Sequence, residues 1–156
     1  MKRRSCGWLA GCLLALFALG CGGGGTQQVA PAMPSDQTFK EQGDYEVHFN
    51  ALRTDTLTQE VARAYGIQRS ANRVMLNVTV LRQRKPVEAE VQADVYNLNG
   101  QLKNMDVRRI SEGEAIYYIG EVSISGTEIL VFDITATPTG ETTPIAVKFK
   151  REFHSS

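Results

Sequence analysis

Between Val87 and Val95 every second residue is apolar: Val87, Ala89, Val91, Ala93 and Val95 alternate with Glu88, Glu90, Gln92 and Asp94. Successive side chains of an extended chain point to opposite faces, so this alternation specifies a strand with one buried and one wet face. The pattern recurs along the chain. Tyr45, Val47 and Phe49 alternate with Glu46, His48 and Asn50, and Val74, Leu76, Val78 and Val80 make a second strand. Asn99-Gly100 predicts a tight type I′ hairpin, because both residues tolerate positive φ. Lys103, Met105 and Val107 then extend a fourth strand.

Ala115–Ile124 and Thr127–Ala136 follow, joined around Ser125-Gly126. In the latter, Ile129 to Phe132 and Ile134 are apolar on both faces, which predicts a central strand. Ile145, Val147, Phe149 and Phe153 line a seventh strand, whose other face carries Lys148, Lys150 and Glu152. That charge pattern protects a sheet edge from adventitious pairing. A single helix is expected over 57–65, started by the Thr56/Gln59 capping-box spacing and stopped by Gly66. Seven short strands with turn signals between them predict an all-β single sandwich, with immunoglobulin-like topology as the leading arrangement and one short helix between strands one and two.

The N-terminus carries a different signal. Lys2, Arg3 and Arg4 precede Gly7 to Gly20, fourteen residues without a charge. That length suits the apolar region of a removable signal peptide, whereas a membrane-spanning helix needs about 20 residues. Ala18-Leu19-Gly20-Cys21 is similar to the lipobox of bacterial lipoproteins. Leu9-Ala10-Gly11-Cys12 matches it better by letters but leaves no room for an apolar region before it. Residues 1–20 are therefore expected to be a signal peptide and Cys21 the lipidation site. Residues 21–37, rich in Gly and carrying Pro31 and Pro34, form a tether with a reach of roughly 20–25 Å. Gly22 after the modified cysteine resembles an outer-membrane address, with the 38–156 domain in the periplasm.

All three cysteines lie within the first 21 residues. The domain is expected to hold itself together without disulfides in a compartment that permits them. Removal of residues 1–20 leaves 14 basic against 17 acidic residues, a net charge of −3. That balance gives no electrostatic footprint for nucleic acid. Membrane attachment is thus expected through lipid rather than through a basic patch. Zinc needs three or four protein ligands. With His48 and His154 the chain's two histidines and no cysteine beyond Cys21, neither metal nor cofactor is expected.

Three segments, Gly43–Ala51 (GDYEVHFNA), Ala64–Ser70 (AYGIQRS) and Glu114–Tyr118 (EAIYY), together with the Val147–Phe153 ending, resemble a proteobacterial family known as domain of unknown function 4426 (DUF4426). The resemblance spans nearly all of residues 38–154. It implies a secreted or envelope protein with one β-rich domain, and brings no activity or catalytic residue.

The residues that offer chemistry are few. His48 lies on a polar strand face with Glu46 and Asn50. The Tyr65–Asn72 segment (YGIQRSAN) leaves the helix as a polar loop, where Arg69 offers a bidentate donor for a carboxylate or phosphate. His48, Tyr65, Arg69 and Asn72 are the candidate binding residues. Of the adjacent Tyr117 and Tyr118, one is expected in the core; for the other, on the opposite face, packing is favoured over an exposed interface ring. Gly-x-Ser-x-Gly, Walker and His-Glu-x-x-His motifs are missing from the sequence. The leading expectation is a non-catalytic envelope module that binds a protein or another envelope component through edge strands or the 65–72 loop. A small-ligand binder or hydrolase using His48 and Arg69 is the alternative, and it requires a pocket bringing those two side chains together. A structural envelope spacer is the third.

Overall fold

The computed structural model describes residues 37–155. The expected signal peptide (1–20), the expected lipidation site Cys21 and all of the expected tether but Gln37 lie outside the described residues. Ten strands form two antiparallel sheets: β1 Phe39–Gln42, β2 Tyr45–Arg53, β3 Arg73–Arg82, β4 Lys85–Pro86, β5 Ala89–Asn97, β6 Leu102–Lys103, β7 Arg108–Glu112, β8 Ala115–Ser123, β9 Thr127–Pro138 and β10 Ile145–His154. The larger sheet has the order β1-β2-β3-β8-β7, with β4 paired to the end of β3; the smaller has the order β10-β9-β5-β6. In immunoglobulin lettering, β2-β3-β8-β7 are A-B-E-D and β10-β9-β5 are G-F-C, the constant-type arrangement. Strand β9 lies between β10 and β5, as its two apolar faces require, and β10 is an edge.

The core fills the space between the sheets. The alternate residues Val47, Phe49 and Ala51 of β2, Leu76, Val78 and Val80 of β3, and Leu130, Phe132, Ile134 and Ala136 of β9 are buried there. Phe132 stacks on Phe149 at 4.6 Å, and Phe149 on Phe49 at 4.8 Å, linking the two sheets through three rings. Such aromatic pairs add about 0.5–1.5 kcal/mol beyond the area they bury. Immunoglobulin domains with a disulfide place it between strands B and F. Here the equivalent strands, β3 and β9, meet through apolar side chains.

Four sequence expectations change. The fourth strand is not continuous. Strand β6 stops at Lys103, and residues 104–107 cross to the other sheet, where β7 pairs β8. The alternation of Met105 and Val107 reflects burial rather than ladder pairing. A Cβ built on Gly120 of β8 would sit 2.6 Å from Met105 Cγ and 3.4 Å from Val107 Cγ2, so the crossing chain packs where β8 has no side chain.

The Asn99-Gly100 turn is not type I′. Of the turn residues Gly100 alone has positive φ (75°), and Leu98–Gly100 form a three-residue loop closed by the Asn97 N–H bond to Gln101 O, next to the Tyr96–Leu102 pair. Gly100 N–H donates to Asn97 O at 2.9 Å, and the Asn97 side chain accepts from the N–H groups of Asn99 and Gln101. The two-residue turn with both residues left-handed lies instead at Gln83 (φ 50°) and Arg84 (φ 64°), between β3 and β4. Neither is a glycine.

The helix α1 runs over Gln59–Ala64, and its N-cap is Thr58, whose hydroxyl accepts from Val61 N–H at 3.3 Å. Thr56 is taken up by a 3-10 turn over Thr54–Thr56, where its hydroxyl donates to Arg53 O, so it cannot cap. The C-terminal expectation stands. Gly66 (φ 63°) follows the helix, with Gly66 N–H bonded to Arg63 O and Ile67 N–H to Ala62 O, the Schellman pattern. Finally, β1 adds a strand before the first expected one, turned back on β2 through Gly43-Asp44.

Helix α1 and its following loop pack on the outer face of the larger sheet. Ala62 and Ile67 meet Met75 of β3 and Ile119 of β8 in a second apolar cluster, flanked by Tyr65 and Tyr117.

Candidate functional site

His48 lies on the outer face of β2, opposite Thr79 of β3. Its Nε2 is 3.0 Å from Glu46 Oε2, and its ring stacks on Phe39 at 5.5 Å. A shallow groove of about 320 Å³ runs past it, between Thr38, Asn50, Asn77 and Thr79. Period two places Glu46, His48 and Asn50 on one face, and β1 supplies the aromatic wall.

The 65–72 loop is fastened from below by Thr54, a polar residue buried at 0% exposure. Its hydroxyl lies 2.9 Å from Gln68 O and 3.1 Å from Ser70 O, and accepts from Ser70 N–H at 2.9 Å. Arg69 donates to the backbone O of Asp55 at 2.7 Å, and the Asp55 carboxylate is held by Arg53. Asn72 uses its backbone: its N–H donates to Ser70 Oγ, and its carbonyl accepts from Ile124 N–H. Tyr65 donates to Glu112 Oε2 at 2.6 Å, and its ring lies 6.0 Å from that of Tyr117. The Glu112 carboxylate beside it pushes the Tyr65 phenol up to about 12. Tyr65, Arg69 and Asn72 thus share one fastened loop.

His48 is not part of that cluster. Roughly 17 Å of extended strand separates it from Arg53, beyond which Asp55 receives Arg69. The groove at His48 does not include Arg69, and the depression at Arg69 is formed with Gln59, Arg63 and Ile67 of the helix region. Among the described residues no group of three or more His, Asp or Glu side chains could hold a metal ion.

The tyrosine pair divides between the two faces, and both rings pack. Tyr118 is in the core, and its hydroxyl crosses the sandwich to accept from Ala89 N–H of β5 at 2.7 Å. Tyr117 is half-buried under the helix rather than an exposed ring. Sequence reasoning missed Thr54, the bond of the Tyr118 hydroxyl across the sandwich, and a broad depression on the surface. That depression, about 450 Å³, lies beside β5 and includes Val91, Ala93, Asp94, Met105, Asp106 and Val107. The break in β6 that opens it is invisible to period two, because Met105 and Val107 stay in phase across it.

Residues 39–156 match the family model described as Domain of unknown function (DUF4426). Among solved structures, the chain is similar to a DUF4426 family protein from Pseudomonas aeruginosa PAO1, with a TM-score of 0.68 and 34% sequence identity, covering 76% of this chain and 94% of that one. Much weaker likenesses are to a yeast GGA1 GAE domain (8% identity, TM-score 0.36, 72% and 96% covered) and to a family 123 glycoside hydrolase from Clostridium perfringens (11%, 0.35, 69% and 27%). So low a TM-score ties neither to this chain. No curated protein matches.

Proposed function

This chain belongs to the DUF4426 family, and we propose that it is a non-catalytic envelope lipoprotein whose sandwich, anchored through lipid on Cys21 and facing the periplasm, binds a protein or another envelope component. The observation that carries the binding role is the engagement of the polar candidates. His48 is held by Glu46 and Phe39, Arg69 by Asp55, Tyr65 by Glu112. These groups hold the domain's own segments together, and the sandwich turns sheet edges and loop surface to its surroundings. The leader supports the anchor: a basic start, fourteen uncharged residues and Cys21 at their end, followed by Gly22 in keeping with an outer-membrane address.

Metabolic labelling with a clickable fatty acid tests the anchor. The wild type takes up label and Cys21→Ala does not; equal labelling of the two overturns lipidation at Cys21. Photo-crosslinkers placed at several surface positions test the binding role in the intact envelope. Discrete adducts are expected, and their absence from every position overturns it.

A further inference from the structure

The two long seams of the sandwich are closed differently. On one side, Lys40 donates to Ala146 O, Arg151 to Ala51 O and Arg53 to His154 O, so β1 and β2 are laced to β10 along its length. On the other side the described bridges lie at the two ends of β5. At one end Lys103 reaches Glu128 and Ser123 O. At the other Tyr118 accepts from Ala89 N–H, and Arg109 pairs with Glu88.

Between these bridges β5 has a free edge. Strand β9 pairs β5 from Ala89 to Asn97, whereas β6 pairs only Val95 and Tyr96. Ala89 N–H points away from β9, toward Tyr118. In an antiparallel ladder alternate residues direct their backbone groups to the same side. The N–H and C=O of Val91 and Ala93 therefore face the open edge, and among the described residues they have no backbone partner there. The side chains of both turn inward, against the core. The groove of about 450 Å³ lies along this edge, with Met105 and Val107 in its wall.

Its charge is acidic. Asp94 sits opposite Asp133 across the β5–β9 ladder, and Asp133 is neutralised by Lys148 at 2.9 Å. Asp94 and Asp106 have no ion-pair partner among the described residues. A second copy pairing antiparallel through β5 about Gln92 would set Glu90 of each copy against Asp94 of the other, and like charges across a ladder repel.

We infer that the β5 edge is a strand-docking site for a short extended segment of a partner protein, paired antiparallel to Val91 and Ala93, with small apolar side chains inward and Lys or Arg outward against Asp94. This is recognition by strand addition: backbone bonds supply attachment and alternate side chains supply selectivity. The bridges at both ends limit the paired part of the docked segment to about four residues. The inference rests on the binding role proposed above and names its surface and partner chemistry.

The probes are two synthetic peptides, acetyl-Thr-Lys-Val-Lys-Val-Thr-amide and its Glu-for-Lys counterpart, titrated into the isotope-labelled full chain in mild detergent. The lysine peptide shifts the Val91 and Ala93 amide resonances saturably, and the glutamate peptide binds at least tenfold more weakly. Asp94→Lys reverses that preference, and its new ammonium faces Asp133, so the fold is kept. Ala93→Pro removes one edge donor without touching the β9 ladder and abolishes the shift of the remaining Val91 amide. Should Ala93→Pro unfold, the charge reversal alone decides. Failure of both peptides to move these amides, or an unchanged preference in Asp94→Lys, overturns the inference. A photo-crosslinker at Gln92 separates this site from the wider reading. Adducts from other surfaces but none from Gln92 overturn the strand-docking site and leave the binding role standing; none from any surface overturns both.

Discussion

Thr54 joins three backbone groups of a loop fourteen to sixteen residues away, from a position with no solvent access. Replacing its hydroxyl by a methyl in Thr54→Val keeps the shape and strands the Ser70 N–H and two carbonyls. Unsatisfied buried groups cost about 1–3 kcal/mol each in partly relaxed sites. Thr54→Val should lower the unfolding free energy by about 2–3 kcal/mol in chemical denaturation and expose the Gln68–Asn72 amides to hydrogen exchange, while Thr54→Ser stays near wild type. In the sequence Thr54 is one polar residue in a polar stretch, Arg53–Thr56, and nothing in its neighbours marks it as buried. By contrast His48 and Arg69 stand out by type. Their separation follows from β2 being fully extended between them, which fixes distance along the strand but requires knowing where the loop folds back.

At the scale of elements, apolar alternation was a reliable guide to which residues are buried and a poor guide to what pairs with what. Strands β2, β3, β5 and β10 follow it, while β8 and β9 carry apolar residues on both faces. It fails at 104–107, where burial is supplied by the opposite sheet, and at β1, whose four residues are mostly exposed. Turns are less legible still. Asn99-Gly100 has the favoured letters and forms a three-residue loop, because the Asn97 side chain organises the backbone on both sides of it. Gln83-Arg84 has unfavourable letters and takes the doubly left-handed turn, because β3 and β4 must close in two residues. Each such residue costs about 1 kcal/mol or more relative to glycine. The double replacement Gln83→Asn with Arg84→Gly should therefore raise the unfolding free energy by about 1–2 kcal/mol; a fall in the midpoint of thermal unfolding would contradict the strain.

At the scale of the whole molecule, the seams connect stability to pH. Glu128 is two-sided: burial pushes its carboxyl up, but Lys103 at 2.6 Å and Ser125 N–H at 2.9 Å outweigh it and hold the carboxyl below its ordinary value. A depressed carboxyl contributes stability that is present above its unfolded value of about 4.3 and is lost as pH falls through the lower folded value. Glu128→Gln should lose this stabilisation near neutrality, by about 1–2 kcal/mol, and show a flatter acid limb of the unfolding curve than the wild type. Parallel acid limbs would rule Glu128 out as a contributor.

The topology also governs the order in which the sandwich can close. Val78 pairs with Tyr118 and Ala89 with Pro138, partners 40 and 49 residues apart in the chain. Contacts of that range make folding slow, with sandwiches taking about milliseconds to seconds. A nascent chain can form the β2–β3 hairpin early, but β5 has no long partner until β9 has been synthesised, and the smaller sheet lacks its last edge until β10. Residues 1–20, proposed above to be an export leader, leave the ribosome well before any of these. The late closure of the G-F-C sheet therefore provides an interval in which the chain is still extended, the state in which a polypeptide can be threaded through a narrow secretion channel.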